Sequence, residues 1–259
     1  MTSPASPVSS ILVDIELPDP APLPPRLVDL LSSLRVVLVG WYYVPEQTSP
    51  QQARDQFGTE SQNVLREVAR AFEEAGAVVE TRLVFTPNEL DTLRRMTDEH
   101  QCNAVLLPAD MPHLKRVLVP IRGLQNVDSI APVVADLVQD GTTAITLLHV
   151  LEEGGTEDEA YETVLRPMAD AIAARGVDAG LVQCETVEAS DPGAAILERA
   201  TDHDIVVLGE TEPSIREILF GTVPETIAEE VNVPVVVVRH VAGDGLPVAS
   251  ARNASANAT

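Results

Sequence analysis

The chain is punctuated by short runs of β-branched and aliphatic residues that lack a polar face. They are RVVLVG at 35–40, AVLL at 104–107, RVLVPI at 116–121, AITLLHV at 144–150, IVVL at 205–208 and PVVVVRH at 234–240. A strand that is apolar on both faces must be covered on both faces. Parallel sheets held between helices provide that, whereas sheets with a wet side alternate apolar and polar residues. Further strands are expected at Ile11–Leu17, Val78–Phe85 and Ala179–Thr186, and the last at Val233–Arg239.

Helical signals separate the runs. In Ser61–Ala75 the residues Val64, Leu65, Val68, Ala69 and Phe72 recur at helical spacing, and Gly76 ends the pattern. Glu89–His100, Asp128–Gln139, Thr163–Ala174 and Val223–Val231 read as helices, and Leu27–Leu34 as a short one. Asp191 has the character of an N-cap with Pro192 in the first turn, for a helix that runs to Ala200. Pro45–Phe57 and the acidic EEGGTEDE (152–159) read as loops, and the polar residues 242–259 as a disordered tail. Alternating strands and helices predict an α/β fold.

The order repeats. NVLREVARAFEEAG (63–76) aligns with TVLRPMADAIAARG (163–176) without a gap, and MTDEHQCNAVLLP (96–108) resembles ATDHDIVVLG (200–209) with a short one. Duplication explains the shared order of elements. The expected units are 1–112, a degenerate copy, and 113–241, a complete one; the first copy has no counterpart of Glu210–Arg239.

Charge narrows the function. Acidic residues number 40 against 17 basic ones, a formal net charge of −23. Such a surface repels phosphate backbones, which excludes a general nucleic-acid binder, and it suits a high-salt environment that screens self-repulsion. No apolar run reaches the length of a membrane span, and MTSPASPVSS at the N-terminus lacks the features of a signal peptide. Cys102 and Cys184 have no ligand-like spacing and read as reduced thiols, so the expected compartment is the cytoplasm.

The segment after Leu208 carries a resemblance. Gly209 stands at a strand end, Gly221-Thr222 opens the last helix, and PVVVVRH closes the unit. With RVLVPIRG and LLHV before it, this pattern resembles the universal stress protein family, whose fourth strand is followed by G-x2-G-x9-G-[S/T], a helix and a Val-rich strand. The resemblance covers Lys115–His240 well and Arg35–Met111 more weakly. It implies two tandem doubly wound parallel-sheet units of the adenine nucleotide alpha-hydrolase-like, universal stress protein type. It further implies ATP or another nucleotide at Pro120, Ile121, Arg122, Val150, Gly209, Gly221, Thr222 and Val223. Glycines let backbone approach phosphate, and amides at a helix start favour its charge. Three positions depart from the pattern. Glu212 falls near the second loop glycine, Arg122 takes the place of a strand-end Asp, and eleven residues separate Gly209 from Gly221, one fewer than in the family.

No hydrolase elbow, Walker A run, G-x-G-x-x-G or H-E-x-x-H occurs, and neither a catalytic set nor a metal site is expected. His149 lies within an apolar strand and reads as a core histidine. Three readings follow: a stress or regulatory protein acting by association, with or without a nucleotide; a weak ATPase; and a ligand-free interaction module. The resemblance also implies a homodimer through the last strand, 233–239, as the exposed edge of the second unit; the alternative is an N-terminal unit packed over that edge. A further protein partner is left unidentified.

Overall fold

The structure is a computed structural model and describes residues 8–151, 154–209 and 232–239. All strands among the described residues join one nine-stranded sheet. The N-terminal half contributes β1 (Ser10–Leu17), β2 (Arg35–Tyr43), β3 (Val78–Thr86) and β4 (Ala104–Leu107). The C-terminal half contributes β5 (Arg116–Pro120), β6 (Ala144–Leu151), β7 (Val182–Glu188), β8 (Ile205–Gly209) and β9 (Val235–Val238). The spatial order is β3-β2-β1-β4-β9-β8-β5-β6-β7. Read outward from the centre, the halves match: β4-β1-β2-β3 on one side and β8-β5-β6-β7 on the other.

Within each half every pair is parallel, as the two-sided apolar runs require. The exception is the seam, where β4 and β9 run antiparallel from Ala104↔Val238 to Leu107↔Val235. The carboxyl ends of the two half-sheets therefore point in opposite directions.

This seam corrects one expectation. The last strand is not a sheet edge open to a second chain: β8 pairs one side of β9 and β4 pairs the other. The physical cause is the missing fifth strand of the first half. β4 has an open edge, unpaired edges demand a partner, and the strand that follows β8 supplies one from within the chain. Val235–Val238 are 0–1% exposed. A homodimer through residues 233–239 has no free strand to use.

The α-helices among the described residues are α1 (Pro25–Leu31), α2 (Pro50–Glu74), α3 (Glu89–Glu99), α4 (Val127–Leu137), α5 (Glu157–Ala160), α6 (Arg166–Ala173) and α7 (Pro192–Ala200). Asp191 caps α7 as expected, its carboxylate accepting from the Ala194 amide at 3.1 Å. Helix α2 starts at Pro50, inside the stretch expected to be a loop, because Pro50 takes a first-turn position where its missing N–H costs nothing. Likewise Thr156 accepts from the Glu159 amide, so the end of the acidic stretch is the first turn of α5. A short 3₁₀ turn (Ala179–Leu181) delays β7 to Val182. The helix expected at 223–231 lies outside the described residues.

The two aligned helical segments differ in one informative way. α2 is regular for 25 residues, whereas α5 and α6 are joined by a π turn at Tyr161–Leu165. At the aligned position the first segment has Glu67 and the second Pro167. A proline ring collides with the carbonyl four residues earlier, and a π turn relieves that collision. One core spans both halves, with Ile11, Phe72, Ile145, Met168 and Val236 in the same buried cluster. No helix among the described residues is long and apolar enough to cross a membrane.

Candidate functional site

In an open parallel sheet, ligands lie beyond the carboxyl ends of the strands where the winding reverses. In the C-terminal half that point falls between β5 and β8. From β5 the chain winds through α4 to β6 on one side; from β7 it returns through α7 to β8 on the other. The two strands pair only at Val117↔Ile205 and Leu118↔Val206. Beyond that they part. β5 stays with β6 through Pro120↔Leu148, and the Ile121 amide donates to the Leu148 carbonyl at 2.7 Å. β8 stays with β9 through Gly209↔Val238. A crevice opens between Pro120–Arg122 and Gly209.

Pro120 and Ile121 are buried, and Arg122 is exposed at the rim. Val150 lies further along β6 on the same strand ends. Five expected positions thus fall at the carboxyl ends of β5, β6 and β8: Pro120, Ile121, Arg122, Val150 and Gly209. Gly221, Thr222 and Val223, with Glu210 and Glu212, lie outside the described residues.

The geometry explains Gly209 by close approach. A Cβ placed there would lie 2.8 Å from Nδ2 of Asn126 and 3.0 Å from Cδ1 of Ile130. Asn126, just ahead of α4, is itself 6% exposed. Sequence reasoning missed this residue, since one asparagine in a strand-to-helix turn has many uses. Only its contact with Gly209 sets it apart. Gly123 is extended, at φ −169°, so its backbone needs no glycine, and the space where its Cβ would be is open.

Two buried histidines are hydrogen bonded. His203 spans the sheet face, with Nδ1 to the Arg199 carbonyl at 2.7 Å and Nε2 to Oγ1 of Thr146 at 2.9 Å. His149 places Nδ1 at 2.7 Å from the Ile121 carbonyl, at the lip of the crevice. Among the described residues no group of His, Cys, Asp and Glu could hold a metal ion. Burial pushes the Cys102 thiol up to about 11 and raises that of Cys184, so both are poor nucleophiles near neutrality.

The equivalent crevice of the N-terminal half is built differently. β1 and β4 pair at Ile11↔Ala104, Leu12↔Val105 and Val13↔Leu106, then part. Asp14 and Glu16 follow on β1. Burial, more than any other influence, raises the Asp14 carboxyl above the usual carboxylate range, and Glu16 adds like charge. Near the starts of β2 and β3, partial burial would raise the Glu80 carboxyl, but Arg35, Arg82 and His100 hold it low.

A search of curated proteins gives no match. Among solved structures, a universal stress protein from Archaeoglobus fulgidus DSM 4304 is similar at a TM-score of 0.61 and 17% identity, over 89% of this chain and 96% of that one. A protein of unknown function from Pseudomonas aeruginosa PAO1 is similar at a TM-score of 0.51 and 14% identity, over 90% and 92%. These likenesses extend through both halves of the sheet and concern the fold. The sequence profile described as the universal stress protein family matches residues 113–239. The C-terminal half of this chain, with its crevice between β5 and β8, belongs to the universal stress protein family.

Proposed function

We propose that this chain is a stress-response or regulatory protein that acts by association rather than by catalysis, and that its C-terminal domain binds a nucleotide. In this reading residues 1–112 are a degenerate copy of the domain at 113–241. The matched strand order of the halves supports it. The observation that carries the nucleotide reading is the parting of β5 from β8 at the winding reversal, within the family-matched segment. Around the crevice stand strand-end backbone, a buried amide side chain and a rim arginine. Such groups hold an anion, and a guanidinium suits phosphate. In this proposal the base lies towards Pro120–Arg122 and Val150, and Gly209, Gly221 and Thr222 bind the triphosphate, with Val223 as a further contact of the ligand.

The test is calorimetric titration of the full chain with magnesium ATP in high potassium chloride, followed by a hydrolysis assay. Saturable binding at one site without turnover supports the reading. Gly221→Leu abolishes that binding. No heat of binding across a range of salt refutes the nucleotide reading and leaves the interaction module, whereas steady phosphate release establishes the ATPase.

A further inference from the structure

His149 occupies a place where the fold itself has no need of a histidine. Register makes this visible. Arg35 begins β2 opposite Ser10 of β1, and Ala144 begins β6 opposite Arg116 of β5. Counting along these strands places Gly40 where the C-terminal half has His149. It also places Ile15 where that half has Ile121. At Gly40 the N-terminal half fills the space with carbon: a Cβ there would lie 2.9 Å from Cδ1 of Leu17 and 3.0 Å from Cδ2 of Leu65. Apolar packing closes that position in one half. The other half keeps a polar ring that is only 9% exposed.

The ring has a definite bond. A carbonyl oxygen accepts and cannot donate, so Nδ1, 2.7 Å from the Ile121 oxygen, carries the proton. Ile121 is the residue at which β5 leaves the sheet, and Arg122 follows it to the rim. Its amide is held by Leu148 and its carbonyl by His149, one residue further along β6. The two peptide groups that flank Ile121, where the chain turns into the crevice, are thus each held by the same neighbouring strand. Buried polar side chains are retained when their bonds are made, and here the bond is spent on the backbone of the crevice lip.

We propose that His149 is a positioning residue of the C-terminal site: its Nδ1–H locks the Ile121 carbonyl and so sets the path of residues 121–126. The effect on ligand affinity rests on the nucleotide reading above; the effect on the loop does not. The position of the donor matters. Asparagine places its amide nitrogen where Nδ1 lies, glutamine places it where Nε2 lies, and leucine has no donor.

The experiment compares the full chain with His149→Asn, His149→Gln and His149→Leu. Amide hydrogen exchange by mass spectrometry reports on peptides covering 121–126, with thermal melts to check that each variant folds. The expected result is faster exchange in that loop for Leu and Gln and protection restored by Asn, with exchange of β1–β3 unchanged. Magnesium ATP affinity should follow the same order, about fivefold to tenfold weaker for Leu and Gln, the worth of one hydrogen bond. Equal loop protection in all folded variants overturns the proposal, as does protection lost equally in Asn. If His149→Leu does not fold, the contrast of Asn with Gln decides. If the unsubstituted chain binds no ATP, the nucleotide reading falls, and loop exchange alone judges His149.

Discussion

Val236 tests the seam. It sits in the middle of β9, paired with Leu106 of β4 on one side and Val207 of β8 on the other, and it is fully buried in the core shared by both halves. Val236→Ala removes two methyl groups, about 1.6 kcal/mol of transfer free energy at about 0.8 kcal/mol each, and the cavity brings the loss to about 2 kcal/mol. With a urea m value of about 3 kcal/mol/M, the midpoint falls by about 0.7 M. The chain has one tryptophan, Trp41, on β2 of the N-terminal half, while the substitution lies in a strand contributed by the C-terminal half. Urea unfolding at fixed high salt, followed by Trp41 fluorescence and by far-ultraviolet circular dichroism, should give one transition that shifts equally for both probes. A fluorescence midpoint that stays in place while the dichroism shifts would mean that the halves unfold separately and that β9 does not join them.

Gly209→Ala should lower stability by about 1–2 kcal/mol in thermal melts, because the new Cβ meets Asn126 and Ile130, and Asn126→Ala should recover part of that loss. Asp14 has a folded-state pKa raised by burial, so the folded protein holds the proton more tightly than the unfolded chain and stability falls as pH rises through that window. Asp14→Asn should therefore be more stable than the unsubstituted chain at neutral pH, and the gain should shrink as pH falls towards the ordinary carboxylate value; a gain independent of pH refutes this. With a net charge of −23, the melting temperature should rise with potassium chloride between low and molar concentration; a flat profile refutes a role for self-repulsion.

Much of the fold was legible because its causes are local. The two-sided apolar runs named the buried strands, and Asp191-Pro192 named the start of α7. Local pattern could not place β9. A strand of four valines reads the same at the end of a sheet or in its middle, and only the open edge of β4, more than a hundred residues away in sequence, decides. The start of α2 was hidden by polar residues on an exposed first turn. The motif singles out Gly209, and the structure gives a packing reason for a glycine there in the close approach of Asn126. His149 was read as a core histidine, and buried it is; the partner that gives it meaning, the Ile121 carbonyl, is backbone and leaves no mark in the sequence.

The antiparallel pairing of β4 with β9 also changes how this molecule responds to its surroundings. An interface between separate chains has a dissociation constant, and dilution opens it. The seam here is closed by a covalent chain, so it holds at any concentration and yields only to unfolding. Each side of it is also free to vary alone. A substitution in a symmetric pair of chains is always made twice, whereas here Gly40 with its two leucines and His149 with its carbonyl are separate positions on one polypeptide.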